Sequence, residues 1–511
     1  MASVTTFHSS LVGVFFAFGS LLNQGYAEDV LSKEEFGHPT VVLMVADDLG
    51  WGDLGAYGHP SIKTPNLDKL AARGMLFTDF TVAAPTCSPS RAAILSSQFP
   101  ARLEIHTYIA GVMTDKGNAA WLDPDFALLP KAFRDAGYRT ALYGKWHLGE
   151  GGPPWERETD PPAPEVSAYY YEDHAITRSG TGDRLRTNPN PGDLPEGAYS
   201  AAIVDHAIDF LGDHPNEPVF LHLNFFDPHS TLAPTEAERR KHYPEYAAFG
   251  GRAERYESEY GVTGFTTPEE VYYTSVTRMD EQIGRFLDYL EANDRLDDTL
   301  ILFLSDNGPE VIGGSASYHS TAGSAGPFRA GKASIYEGGL RSPFVVSWPD
   351  GGVPEGEINR QAVVSAVDLL PSLASWLELP LPKGTVVDGE DLHSLFLGYD
   401  KNRTNPLFWE NLETPRGVNA INQSPSLAIR DGKWKLLMNH DGTRTELYDL
   451  KTDPSESVNL AEFFPERVQR MAAMLIDWTK ELPGDRDSWL QKGQINDPWL
   501  RLLKGEGASG R

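Results

Sequence analysis

One cysteine occurs in these 511 residues, and it stands in the run Cys87-Ser88-Pro89-Ser90-Arg91. A lone thiol forms no intrachain disulfide, and a zinc site built on thiolates needs more than one. Such a cysteine is ordinarily a small buried hydrophobe. This one has a more pointed setting. Pro89 suits a first helical turn and Ser90 to Ser97 can continue as a helix, which puts Cys87 at a helix N-terminus where backbone N–H groups favour anions. Arg91, one turn further in, adds a fixed positive charge. Elsewhere, Asp47-Asp48 sets two carboxylates side by side. They repel each other, so they belong on solvated surface, the commoner case in isolation, or on a cation. Asp306-Asn307-Gly308 offers further oxygen donors, and an all-oxygen set suits a hard ion such as Ca2+ or Mg2+. Lys145 with His147, His229 and Lys332 are commonplace singly, and their interest lies in where they fall along the chain.

Apolar, β-branched runs bounded by turn residues predict buried strands over 40–45, 139–143, 218–226, 299–305 and 343–348. Helical patterns lie between them, over 66–73, 126–136, 199–211, 269–292 and 367–377. Strands alternating with helices predict an α/β fold, a mainly parallel sheet sandwiched by helices. Ligands of such folds bind beyond the carboxyl ends of the strands. Asp47, Lys145, His147, His229 and Asp306 all fall there. After about residue 380 the pattern changes to short strands over 426–430, 433–438 and 446–449, split by Asp-Gly turns, then a helix over 465–482. That predicts a smaller C-terminal α+β unit with an antiparallel sheet. The expected divisions are 1–27, 28–380, 381–485 and a tail of uncertain structure over 486–511.

With 40% hydrophobic residues, a chain this long can bury a large core in more than one structural unit. Its 44 basic against 72 acidic residues leave a net charge of −28, which repels phosphate and argues against a nucleic-acid partner. An anionic substrate would face the same field and need local cations. Residues 11–22 are apolar but short for a membrane span, and Gly25-Tyr26-Ala27 has a small-x-small cleavage pattern. The expectation is a signal peptide ending near Ala27, an exported periplasmic or secreted protein, and no stable membrane insertion. The n-region lacks Lys and Arg, which leaves an uncleaved anchor as the alternative. An exported chain without disulfides suits a bacterial setting.

Cys87-x-Pro89-x-Arg91 resembles the core of the signature of the type I, formylglycine-dependent sulfatases, members of the alkaline phosphatase-like superfamily. The likeness extends upstream through Thr64-Pro65-Asn66-Leu67-Asp68-Lys69-Leu70 and Gly74-Met75-Leu76-Phe77. Downstream, Gly137-Tyr138-Arg139-Thr140-Ala141-Leu142-Tyr143-Gly144-Lys145-Trp146-His147-Leu148-Gly149 is similar to the second signature. The run from Gly331-Lys332 to Ser342-Pro343 resembles another family motif, and His229 lies in a place similar to the family's Pro-His element. The resemblance implies that Cys87 is converted to formylglycine (3-oxoalanine) by a formylglycine-generating maturation enzyme. It also implies one divalent metal, calcium ahead of magnesium, on Asp47, Asp48, Asp306, Asn307 and residue 87. Arg91, Lys145, His229 and Lys332 would clamp the sulfate. The family mechanism attacks sulfur with a hydroxyl of the hydrated aldehyde, Asp306 acting as base. His229 or Lys332 protonates the leaving oxygen, and His147 then deprotonates the second hydroxyl so that sulfate leaves. A serine could not perform that last elimination, which explains the cysteine precursor.

Two departures from the family pattern stand out. The signature usually ends Leu-Thr-Gly but here reads Leu95-Ser96-Ser97, which bears on maturation. In Phe408-Trp409-Glu410-Asn411, Asn411 occupies a place where histidine is common, a difference expected to affect substrate choice. The loop 150–197 carries Tyr169-Tyr170-Tyr171, His174, Arg178, Arg184 and Arg186, and a second excursion carries Arg239, Arg240, Lys241, Arg252 and Arg255. Charged loops are more often solvated surface, but aromatics with arginines at the mouth would suit a sulfated sugar. The expected substrate is therefore a sulfated carbohydrate. The rivals are a phosphoester or phosphonate monoester hydrolase of the same superfamily, and a catalytically silent carbohydrate-binding relative. The silent relative would have lost metal or clamp positions, and none is lost.

Overall fold

The computed structural model describes residues 38–109, 118–149, 164–177, 186–187, 199–230, 232, 234–246, 267–311, 318–412 and 422–484. The expected signal peptide and the expected tail lie outside the described residues, as do Arg178, Arg184, Arg252 and Arg255.

Fifteen strands are present among the described residues. They are β1 (Thr40–Ala46), β2 (Met75–Phe77), β3 (Phe80–Thr81), β4 (Arg139–Lys145), β5 (Asp173–Thr177), β6 (Arg186–Thr187), β7 (Val219–Asn224), β8 (Thr299–Ser305), β9 (Phe344–Ser347), β10 (Glu357–Asn359), β11 (Val364–Ser365), β12 (Leu407–Glu410), β13 (Leu427–Asp431), β14 (Trp434–Met438) and β15 (Glu446–Asp449). Nine of them form one sheet in the order β10-β2-β9-β8-β1-β7-β4-β5-β6. Its centre, β8-β1-β7-β4-β5, is wholly parallel, with Val42 opposite both Leu221 and Ile301. β9 and β6 run antiparallel to their neighbours. The expected mainly parallel sheet is therefore present, with reversals toward its edges.

Burial on both faces explains the unbroken apolar runs. All seven residues of β1 and of β8 are buried. Alternate residues Val42, Met44 and Ala46 share a cluster with Leu221 and Leu223 of β7 and with Ile301 and Phe303 of β8. The helices α1 (Tyr199–Asp213) and α2 (Pro268–Ala292) supply Ile203, Ala207 and Leu211, and Val276, Met279, Ile283 and Phe286, to the same cluster. Thr267 caps α2 by accepting from the Glu270 N–H, and Pro268 opens its first turn.

The second sheet is antiparallel, in the order β12-β13-β14-β15, as expected from the Asp-Gly punctuation. A helix over Pro465–Glu481 follows it. Trp409 of β12 ties this sheet to the larger unit by donating from Nε1 to Val82 O at 2.9 Å.

Candidate active site

Four neighbouring parallel strands, β8, β1, β7 and β4, bring their carboxyl ends to one edge, a span of roughly 14 Å at the usual spacing. Asp47-Asp48 leaves β1, His229 follows β7, Asp306-Asn307 leaves β8, and Lys145 ends β4 with His147 two residues on. β9 runs the opposite way, so the chain that enters it, carrying Lys332, arrives at the same edge. Residue 87 is the first residue of the helix Cys87–Ser96, all ten residues of which are buried. That helix ends at Ser97, held at φ 53°, the left-handed conformation in which glycine is at home. Serine is strained there, but its Oγ accepts from the Leu370 N–H at 3.0 Å, so the non-glycine residue is accommodated.

The side chains converge. The Cys87 Sγ lies 3.5 Å from Asp47 Oδ1, and the Lys145 ammonium contacts Asp47 Oδ2. Arg91 donates from Nε to Asp306 Oδ2 at 2.8 Å and from Nη1 to the Lys145 carbonyl at 3.2 Å. Lys332 Nζ donates to Asp48 Oδ2 at 2.7 Å, and His229 Nε2 lies 3.7 Å from the same oxygen. Asn307 Nδ2 donates to Asp48 Oδ1 at 2.7 Å, and the Asp48 N–H donates to Asp306 Oδ1 at 3.2 Å. His229 Nδ1 donates to the Ser230 carbonyl at 2.5 Å, which leaves Nε2 as the lone-pair face toward Asp48. Asp48 and His147 both sit at positive φ, 61° and 57°. Strained backbone of this kind concentrates at functional sites and persists where the surroundings over-determine it.

Three features point to a cation. Ligand atoms of Asp47, Asp48, Cys87 and His229 all lie within 4.8 Å of one another. Two carboxylate charges at that separation repel by roughly 3–4 kcal/mol at an effective dielectric constant of about 20. The buried Asn307 Oδ1 has no hydrogen-bond partner, an oxygen without a donor beside those carboxylates. The oxygen-rich donor set fits a hard divalent ion. His229, expected in the sulfate clamp and as an acid for the leaving oxygen, belongs to this ligand-sized group, whereas Asp306 meets it through Asp48 and Arg91.

The electrostatics are uneven. Burial pushes the Asp306 carboxyl up to about 6, and Asp47 adds to the shift. Burial also opposes charge on Asp48, but Lys332, His229 and Lys145 outweigh it and hold that carboxyl well below the usual range. Burial, reinforced by Lys145 and Arg91, lowers His147 well below the ordinary imidazole range, and its buried Nδ1 has no hydrogen-bond partner. His147 is therefore held neutral, with an unpartnered ring nitrogen at the site. Burial pushes the Cys87 thiol well above its ordinary range, so its sulfur is not held as the nucleophilic thiolate.

All ten residues singled out in the sequence thus meet at one edge of the sheet. Their support was not foreseen. Asp53 Oδ2 accepts from the Tyr272 hydroxyl at 2.6 Å and from the Gly50 N–H at 2.6 Å, pinning the turn that carries Asp48. Asp53 stands close to Asp48 in the chain, but no pattern marks it, and Tyr272 gave no signal at all. The expected aromatic mouth is a correction. Tyr169 and Tyr171 are buried, donating to the Leu122 carbonyl at 2.6 Å and meeting His222 Nδ1 at 2.8 Å, and they pack edge-on against Trp146. Tyr170 instead stacks with Arg134, 4.4 Å from its ring centroid. Arg239 is buried against Glu270, and Arg240 and Lys241 pair with Glu236 and Glu281. These groups do not form a cationic rim.

The family model described as Sulfatase matches residues 39–379, and one described as N-sulphoglucosamine sulphohydrolase, C-terminal, matches residues 328–481. This chain belongs to the sulfatase family. Arylsulfatase A of Homo sapiens is 32% identical over 471 residues, covering 83% of each chain. The N-acetylgalactosamine-6-O-sulfatase of Bacteroides thetaiotaomicron is 28% identical over 517 residues, 86% of this chain and 92% of that one. The structure of Ps i-CgsB in complex with k-i-k-neocarrahexaose superposes with a TM-score of 0.70 at 22% identity, covering 91% of this sulfatase and 100% of that chain. The phosphonate monoester hydrolase of Agrobacterium radiobacter superposes at 0.59 and 22%, covering 87% and 96%. At those identities the two structural likenesses speak to fold, and the fold is that of the alkaline phosphatase-like enzymes.

Proposed function

We propose that this sulfatase hydrolyses sulfate esters of a carbohydrate, with formylglycine at position 87 and a divalent cation, calcium ahead of magnesium. The observation that carries the reading is the convergence of Arg91, Lys145 and Lys332 on the carboxylates around residue 87, in a chain whose overall charge repels anions. Asp47, Asp48 and Asn307 would hold the cation, with Asp306 and His229 beside them. When bound, it supplies positive charge that makes a neighbouring hydroxyl more acidic and offsets the charge of the ester. The hydrated aldehyde supplies two geminal hydroxyls, one to attack sulfur and one whose deprotonation expels sulfate.

The chain's own residues do the rest. Arg91, Lys145 and Lys332 fix the sulfate oxygens at the carboxyl edge of the sheet. Lys332 retains some exposure, whereas Lys145 has none, so Lys332 faces the entering ester and protonates the departing oxygen. Asp306 takes the proton of the attacking hydroxyl, and neutral His147 takes that of the second hydroxyl as the carbon–oxygen bond to sulfate breaks and the aldehyde re-forms. The carbohydrate assignment is supported by the names of relatives such as the N-acetylgalactosamine-6-O-sulfatase. Export is part of the proposal, supported by the apolar run at 11–22; among the described residues no helix is long and apolar enough to cross a membrane. The maturation enzyme would have to reach Cys87 before folding buries it.

Turnover of matched sulfate, phosphate and phosphonate monoesters, followed by a panel of defined sulfated oligosaccharides, tests the reading. Sulfate release from at least one oligosaccharide, with phosphate esters far slower, is the expected outcome. Preference for the phosphorus esters would transfer the site to the rival hydrolase class.

A further inference from the structure

Lys332 lies on a segment that could not hold its course alone. Ala330 and Ala333, flanking it, sit at φ 65° and 67°, which disfavours any residue with a Cβ. Gly339 is packed so closely that a Cβ there would come within 2.0 Å of the Ser334 carbonyl oxygen. Contacts from elsewhere impose the path. The N–H groups of Lys332 and Ala333 donate to the Pro309 and Pro85 carbonyls, each at 2.8 Å. On its other side, Asn411 Nδ2 donates to the Ala333 carbonyl at 2.9 Å from the end of β12.

The same segment continues into Glu337, which is wholly buried. Its Oε1 accepts from Lys435 Nζ of β14 at 2.7 Å, and its Oε2 contacts Arg341. Lys435 also lies 2.9 Å from Glu456 Oε1, while the Glu337 N–H donates to Glu456 Oε2 at 2.6 Å. Lys435 is thus the shared counter-charge of two buried carboxylates, and it comes from the C-terminal sheet.

We propose that Lys435 and Asn411 are positioning residues for Lys332, so that the C-terminal sheet sets the geometry of the sulfate clamp. The inference rests on the reading of Lys332 as part of that clamp. Removing the Lys435 charge leaves Glu337 and Glu456 facing each other in the interior, and the strained segment loses what holds it. Asn411, which stands where the family often has histidine, reaches Lys332 through the adjoining carbonyl, with no stranded charge when it is removed.

The test is a double-mutant cycle on kcat/KM for 4-nitrophenyl sulfate, using metal-loaded, formylglycine-bearing full chain. Lys332→Ala is expected to lower kcat/KM about 100- to 1000-fold, and Lys435→Met about 10- to 100-fold. In the Lys332→Ala background, Lys435→Met should cost less than threefold more. Lys435→Met with Glu456→Gln, which restores charge balance, should recover most of the loss. Asn411→Ala should show the same non-additivity with Lys332→Ala and remains measurable if Lys435→Met does not fold. An inert Lys332→Ala would sink the clamp reading and this inference with it. An effective Lys332→Ala with fully additive Lys435 and Asn411 effects would overturn the inference alone, as would lowered melting temperatures with unchanged kcat/KM of the folded protein.

Discussion

Two groups of three acids and three bases lie in this sulfatase, equal in charge balance and different in arrangement. At the proposed active site Asp47, Asp48 and Asp306 meet Arg91, Lys145 and Lys332. Under the C-terminal sheet Asp79, Glu337 and Glu456 meet Arg341, Arg430 and Lys435. In the second group acid and base alternate. Arg430 takes both oxygens of Asp79 at 2.7 Å, Arg341 joins Asp79 to Glu337, and Lys435 joins Glu337 to Glu456. At the proposed active site each carboxylate also has a cationic partner, but oxygens of Asp47 and Asp48 converge within 4.8 Å of the residue-87 side chain and His229, beside an amide oxygen with no donor. Pairing alone lets a buried ionic cluster serve as a latch; convergent ligand atoms and an unmet oxygen create a demand for a cation. Charge count alone does not distinguish a site from a brace.

The two groups should respond very differently to substitution, most of all at residue 87. Cys87→Ala should lower steady-state turnover at least about a thousandfold while the fold remains, since no other nucleophile stands in its place. Cys87→Ser should at best turn over once and trap sulfated protein, visible by intact mass.

Next comes the cation. Asp48→Ala or Asn307→Ala should reduce bound divalent metal and activity in parallel, measured by elemental analysis and aryl sulfate turnover. Stoichiometric metal in a folded variant lacking all of Asp47, Asp48, Asp306 and Asn307 would show that these residues are not the cation site.

The smallest effect belongs to the latch. Burial pushes Glu456 up to about 7, with Glu337 adding, so its contribution to stability is full below the ordinary carboxylate range and is lost as pH rises through about 7. Glu337 is shifted the other way: burial raises it, but Lys435, Arg341 and Arg430 hold it low, so its contribution is lost only in acid. Denaturant unfolding at pH 5.5 and 8 should therefore show wild type weakening with pH and Glu456→Gln weakening less. An identical pH response in both would remove Glu456 as a titrating member of the latch.

Much of this was legible in the chain. Strands such as β1 and β8 declared themselves because both faces are buried, and Asp47-Asp48 and Asp306-Asn307 stand directly after them. The short strands β5 and β6 at one end of the sheet did not, since their residues carry no long apolar run. Tyr169 and Tyr171 misled because a tyrosine run in a polar loop reads alike whether the rings face solvent or pack on Trp146. The latch was invisible because Asp79, Glu337, Lys435 and Glu456 are scattered through the sequence and meet only in the folded chain. Local pattern reveals chemistry placed by single strands; it does not reveal partners chosen by tertiary packing.

Peptide mass spectrometry of residue 87, read beside turnover, decides whether the aldehyde is the working group. Preparations made with increasing amounts of a formylglycine-generating enzyme should show a growing fraction of the peptide lighter by about 18 Da, as an aldehyde oxygen replaces the thiol sulfur. Sulfate-ester kcat per molecule should rise in proportion to that fraction. Full turnover in protein whose Cys87 is wholly unmodified would contradict the account.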